Sequence, residues 1–575
     1  MKLVKRITAG TLSCLLALSL AACGGDTASS GTPGTESSAA GSTPAASSAA
    51  ETDDTAATGD NALNVMIEVE VASLDPQIAT DGTSFEVIAG FTDGLMQMDE
   101  TGKAVPAVAE SYDLSEDGLT YTFHLREDAN WSNGDPVTAA DFVFGWQRAA
   151  DPATASEYSY MLSDIGQVKN AAEIIAGDKP VTDLGVTAVD EKTLKVELNV
   201  PVSYFLNLMY FPTFYPVNQA FYEGLAEGTF GTSPDTVLSN GAFKLDSYEP
   251  AALAFSLVKN PDYYNASEVK LAGLNYQVIK DSQQAFMNYQ NGALDIVKLA
   301  GDQVDQVTGD PELNVVGAGY MWYITLNGHD VPALANQNFR LALTNAVNRE
   351  SIVNDVVKDG SVATYTAVPP QFATGPDGSD FSADQAKFND VCADDPAKAA
   401  TFYEKAKQEL GQDSFTFELL LEDQTETQNV AAVLKEQIEG ALPGVTLNLK
   451  VEPKKQRVED IQNGNYEVCL TRWGPDYADP MTYLNMWTTD NSNNYGLWSN
   501  PDYDAIIADC TTGAYITDPA ARWNALFDAE KIVMDEAVIV PLYTKADANM
   551  IKANVSDIEF HPVALNRVYK NAVKD

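Results

Sequence analysis

Regular alternation of hydrophobic and polar positions begins near Leu63. LNVMIEVE, opening at Leu63, reads as a strand. TYTFHLRE places Tyr121, Phe123 and Leu125 on one face, the period of a half-buried strand, and TLKVELN repeats it with Leu194, Val196 and Leu198. Further on, FTFELLLE (415–422) predicts a strand, TQNVAAVLKEQIE (427–439) a helix stopped by Gly440, and VTLNLKV (445–451) a second strand. Strand, helix, strand at this spacing is a βαβ unit. DDPAKAATFYEKAKQEL (394–410) predicts a helix with Asp395 at the N-cap and Pro396 at the first helical position. Interleaved strands and helices imply α/β lobes, and no repeat of solenoid or propeller length interrupts them.

The first 61 residues follow another rule. MKLVKR carries three positive charges, an apolar run follows, and LAAC closes it at Leu20–Cys23. Charge, apolar run and small residues in that order predict a secretory signal over 1–22. The cysteine directly after them resembles the bacterial lipobox, which implies that Cys23 is the lipid-bearing residue holding the chain to a bilayer. Residues 24–61 contain no Leu, Ile, Val, Met or aromatic residue. They cannot bury a core, and 23–61 is expected to be a disordered tether with a reach of roughly 30–40 Å. No second run of about 18 apolar residues exists to span a membrane.

Composition narrows the function classes. A chain of 575 residues exceeds one hydrophobic core and divides into roughly three to four domain-sized units. A net charge of -47 opposes nucleic-acid binding and docking on anionic lipid, and favours cationic or neutral ligands. Beyond the signal stand Cys392, Cys469 and Cys510, an odd set that predicts buried free thiols with room for one disulfide. His124, His329 and His561 form no metal or triad motif. Asp476 with Asp479 is a poor case for a glycosidase pair in so acidic a chain. The reading is therefore of a protein that is not an enzyme and carries no metal or cofactor, with an exported hydrolase as one rival.

Several stretches in order carry a family resemblance. The segment 71–158 is the strongest, with WSNGDPVTAADFVFGWQR at its centre. SNGAFKLDSYEP (239–250), YITLNGHD followed by NFRLALTNAVNRESI, WGPDYADPMTYL and YGLWSNPDYD continue it. Together they resemble bacterial extracellular solute-binding proteins of family 5, the oligopeptide-binding lipoproteins of peptide ABC transporters, over essentially all of 63–575. The resemblance implies a two-lobed α/β fold of the periplasmic-binding-protein kind (type II, cluster C). Lobe I would comprise 63–93, 217–318 and 545–575, an inserted subdomain 94–216, and lobe II 319–544, with a two-segment hinge near Tyr320 and Tyr543. It implies a monomeric receptor that faces the extracytoplasmic space, captures oligopeptides and passes them to an ABC permease. Alternatives within the fold are a dipeptide, a nickel chelate, haem or an oligosaccharide as cargo, or the sensing of a peptide pheromone.

The same resemblance assigns site residues. Asp476, after Trp473 and Gly474, would pair with the peptide α-ammonium. Backbone from Ala79, Thr80, Asp81 and Gly82 to Thr83, and from Arg472 to Pro475, would pair with the ligand main chain. Tyr158, Tyr160, Trp322 and Trp473 would line side-chain pockets. Some members carry an arginine three residues before the motif tryptophan to meet a peptide carboxylate. Leu470 stands there instead, leaving Arg472, the KKQR run (454–457) or solvent for that end.

Overall fold

A computed structural model describes residue 59, residues 61–99 and residues 102–575. The signal over 1–22, the lipid-bearing Cys23 and nearly all of the 23–61 tether lie outside the described residues. No helix among the described residues is long and apolar enough to cross a membrane.

An 11-stranded sheet runs through the molecule. In chain order its strands are β1 (Leu63–Ile67), β2 (Phe243–Ser247), β3 (Ala254–Lys259), β4 (Gly273–Val278), β5 (Ile296–Lys298), β6 (Leu313–Leu326), β7 (Val362–Ala363), β8 (Phe415–Glu422), β9 (Val445–Glu452), β10 (Val468–Trp473) and β11 (Ile539–Ile551). Their order in space is β9-β8-β10-β6-β11-β5-β1-β4-β3-β2, with β7 paired to β11. β6 and β11 are the long strands, 14 and 13 residues, and they pair antiparallel along their length. One half of that ladder continues into β5 and β1, the other into β10 and β8. The result is the two-lobed α/β fold, with both lobes hung from one pair of strands.

The ladder between β6 and β11 is interrupted. Gly317 pairs with Ala546, and pairing resumes at Met321 with Thr544 after a register shift. Gly319, inside the break, has φ +72°, and a Cβ there would stand 2.0 Å from the Pro562 carbonyl oxygen. Only glycine fits both the left-handed backbone and that approach.

The alternating segments form the expected strands. Thr120–Leu125 and Thr193–Glu197 pair antiparallel inside a four-stranded sheet completed by Ala109–Leu114 and Val186–Asp190. The βαβ unit is present: β8 and β9 pair in parallel, joined by the helix Thr425–Ala441. This helix and Pro396–Leu410 bury Tyr403, Val430, Leu434 and Ile438 in one core with Phe417, Leu419 and Leu421. Each such apolar side chain contributes about 1.5–3 kcal/mol when fully buried. Asp395 caps the second helix as expected, its carboxylate accepting from the Ala397 and Lys398 amides.

Gly440 does not stop its helix, which continues to Ala441 with Leu442 as the C-cap. An interior glycine costs only about 1 kcal/mol, whereas Pro443 has no amide to continue the helix and ends it. The three cysteines are free and buried, so the disulfide left open by their number does not form.

The break in the β6–β11 ladder yields a direct expectation. Gly319→Ala should lower stability by about 1–3 kcal/mol, read as a reduced midpoint in urea. An unchanged midpoint would mean the left-handed turn is not enforced by Pro562.

Candidate functional site

The site is built where β10 ends. In the pairing of β10 with β6, Trp473 lies opposite Met321 and Arg472 opposite Trp322. Gly474 follows at a point of close approach, where a Cβ would come 2.5 Å from the Tyr320 ring. The loop beyond is pinned by Asp479, whose carboxylate takes two bonds from Arg522 at 2.8 and 2.9 Å and one from the Met481 amide. Arg522 also lies over the Tyr204 ring, which stacks on Tyr477 at 4.8 Å. Asp479 is therefore held by structural partners, and it does not form an open carboxylate pair with Asp476.

Asp476 is different. Its amide donates to Thr482 Oγ1 at 3.1 Å, and its carboxylate accepts from the Tyr160 hydroxyl at 3.0 Å. Among the described residues no Lys, Arg or His forms an ion pair with it. Its surroundings are aromatic: Tyr158, Tyr160, Tyr320 and Tyr483 all sense its charge. Burial pushes its pKa up to about 6, partly offset by the Tyr160 hydrogen bond. The residue is half-buried, and the desolvation of its carboxyl group disfavours the charged form.

The remaining predicted residues divide between this carboxylate and a cavity of ≈ 640 Å³ beside it. Asp81, Gly82, Thr83, Trp322 and Arg472 line the cavity, as does Tyr320. Ala79, Thr80, Tyr158, Tyr160, Trp473, Gly474 and Asp476 do not. Tyr320 joins the two parts, since its phenol senses both Arg472 and Asp476. Asp81 caps the helix Gly82–Phe91, accepting from the Ser84 amide at 3.0 Å and the Ser84 hydroxyl at 2.6 Å. Ala79 is buried and Thr80 exposed. Tyr158 stacks on Phe211 at 5.2 Å and stands 5.6 Å from Tyr160.

Trp322 is buried, stacked on Tyr543 at 5.9 Å, with the Arg472 guanidinium 4.7 Å over its ring. Arg472 bonds to Glu422, which is wholly buried and also faces Arg457 at 3.4 Å. Both partners come from the neighbouring strands β8 and β10, so the salt bridge is made within the sheet. Among the described residues, the pairing of β10 with β8 covers Val468 and Cys469 and does not extend to Leu470–Trp473. Tyr320 and Tyr483 were not legible as site residues, since only the β6–β10 register and the 474–480 loop bring them to Asp476.

Comparison with known proteins gives a consistent set of likenesses. Residues 103–495 match the model of the bacterial extracellular solute-binding proteins, family 5, middle region. A dipeptide-binding protein of Lactococcus lactis is 35% identical over 519 residues, 88% of this chain and 93% of that protein. Among solved structures, the substrate-binding domain of an oligopeptide ABC transporter from Bacillus anthracis superposes with TM-score 0.77 at 37% identity, covering 90% of this chain and 99% of that one. A peptide-bound oligopeptide-binding protein of Listeria monocytogenes gives TM-score 0.76 at 32% identity, with 90% and 99% covered.

The two aspartates of the WGPDYADP loop should behave oppositely. Asp479→Asn breaks a buried, doubly bonded ion pair and is expected to cost about 3–5 kcal/mol. Asp476→Asn removes a charge whose folded-state pKa lies above the ordinary aspartate value of 3.8. That charge opposes folding, increasingly from pH 3.8 to 6 and fully above. Unliganded Asp476→Asn should thus be at least as stable as the wild type at pH 7.5 by urea denaturation. Equal losses from both substitutions would contradict this division.

Proposed function

The chain belongs to the bacterial extracellular solute-binding proteins, family 5, and from that premise we propose that it captures peptides between its lobes and delivers them to an ABC permease. The observation that carries the reading is Asp476, a poorly solvated carboxylate with a tyrosine hydroxyl but no cation of its own. A ligand α-ammonium satisfies it. The bond is charge-assisted, and it relieves the desolvation cost on both partners. The edge of β10 opposite β6, which lacks register partners after Cys469, supports main-chain recognition, which is indifferent to side-chain identity. The Ala79–Thr83 backbone would meet the peptide from the opposite wall. Tyr158, Tyr160, Trp322 and Trp473 would enclose its side chains.

The lobe boundaries follow the same reading: 63–93, 217–318 and 545–575 for lobe I, 94–216 for its insertion, and 319–544 for lobe II. The ladder break around Gly319 is then where the lobes rotate to close on the ligand. The receptor works as a monomer. Cys23 carries the lipid, and the 23–61 tether lets the binding body stay near its permease. A dipeptide is the nearest alternative cargo, and the Lactococcus relative bears that name.

Mass spectrometry of what the purified, unfolded protein releases should find peptides with free N-termini, and a sugar or a metal chelate would end the peptide reading. In calorimetric titration, Asp476→Asn should weaken peptides with free N-termini by at least about 2 kcal/mol, about 30-fold, and leave N-acetylated peptides unaffected. Binding by wild type needs Asp476 ionised. Affinity should therefore be flat from about pH 6 to about pH 7.5, where the ligand α-ammonium begins to deprotonate, and fall below pH 6, by up to about tenfold per pH unit. Cys23→Ser should move the protein from the membrane fraction to the soluble fraction. Retention in the membrane would remove the lipid anchor from the reading.

A further inference from the structure

Near Asp476 two loops meet that share no sheet. Tyr204 follows Thr193–Glu197 of the four-stranded sheet, and Tyr477 follows β10 of the large one. Their rings stack with centroids 4.8 Å apart and planes at 22°. Arg522, on the helix Pro519–Asp535, sets its guanidinium 5.5 Å from the Tyr204 ring centre. It is held there by both Asp479 oxygens and by the Cys510 carbonyl, which accepts from its Nε at 3.0 Å. The Tyr204 hydroxyl donates to the Ile165 carbonyl at 3.4 Å, on its own side of the contact. A ring of one region is thus met by a ring and a cation of the other.

Side chains alone make this seam. Among the described residues no backbone hydrogen bond and no strand pair connects 94–216 with 319–544, and the bond from Tyr160 to Asp476 is between side chains. Apolar contacts do run across, with Tyr477 buried and Tyr204 half-buried. A second cavity, of ≈ 250 Å³, nonetheless opens along the seam. Asp164, Ile165 and Tyr204 line it from one side, and Tyr477, Met481 and Asn485 from the other. Continuous interiors leave few voids of that size. Two surfaces joined by side chains around a void can part while each keeps its own strands and helices.

We propose that Tyr204 is a clasp for the closed cleft: its ring, set against Tyr477 and Arg522, holds the segment 94–216 to the lobe 319–544 and lengthens the stay of a captured peptide. The inference rests on the lobe and peptide reading above and deepens it. Tyr204 does not line the ≈ 640 Å³ cavity, so the clasp favours closure whatever the cargo. An aromatic pair with a cation over one ring is enough to shift a closing equilibrium about tenfold. A trapped ligand leaves only from the opened form, so the shift appears in the dissociation rate. Recognition of the α-ammonium stays with Asp476.

The test is stopped-flow kinetics of peptide binding and release by the full receptor, as wild type, Tyr204→Leu and Tyr204→Phe. Leucine keeps apolar bulk without the ring, and phenylalanine keeps the ring without the hydroxyl. The probes are tri-, tetra- and penta-alanine, each with a free and with an acetylated N-terminus. Tyr204→Leu is expected to release every bound peptide about tenfold faster, with association not slowed and N-acetylated peptides still rejected. Tyr204→Phe should release them at the wild-type rate. Equal release by Tyr204→Leu and wild type would overturn the clasp and leave the peptide reading standing. Acceptance of N-acetylated peptides by Tyr204→Leu would also overturn it, since the ring would then act through Asp476. So would failure of Tyr204→Leu to fold where Tyr204→Phe folds, which would make the ring part of the core. Failure of every free-N-terminus peptide to bind wild type would overturn both readings.

Discussion

The antiparallel pairing of β6 with β11 is the constraint from which the rest of the molecule hangs. Every other strand of the large sheet attaches to this pair, directly or through a neighbour. A continuous ladder would make the sheet one stiff body. Here the ladder breaks between Gly317 and Met321, and Gly319 turns through a left-handed conformation against Pro562. Backbone hydrogen bonds hold each half firmly, while few cross the break. The same register lays Trp322 beside Arg472 and Met321 beside Trp473.

Charge pairing separates architecture from binding in this cleft. Asp479–Arg522 and Glu86–Arg567 are closed groups, each buried charge answered by another. Such groups are costly to break and offer little to a ligand. Asp476 differs from these, an acid among tyrosines that has no ion-pair partner among the described residues.

Much of the scaffold was legible because it depends on local period. Tyr121, Phe123 and Leu125 alternate, and a strand forms there; Asp395 precedes Pro396, and a capped helix begins there. The misreading of Gly440 has a local cause too, since Pro443 is the stronger stop. The site was legible in part. Asp476 stands in a motif continuous in the chain, after Trp473 and Gly474, and Arg472 and Trp322 were named with it. The KKQR run was named as a whole, and that Arg457 turns inward from it to Glu422 was not legible.

The sequence by itself determined the α/β class, the family, and which aspartate to suspect, because these follow from residue spacing and from motifs that are continuous in the chain. Tertiary structure decided which charges are answered. Arg522 reaches Asp479 from 43 positions away, and Tyr160 reaches Asp476 from 316. An ion pair depends on distance and burial in space, and those quantities exist only once the strands have paired.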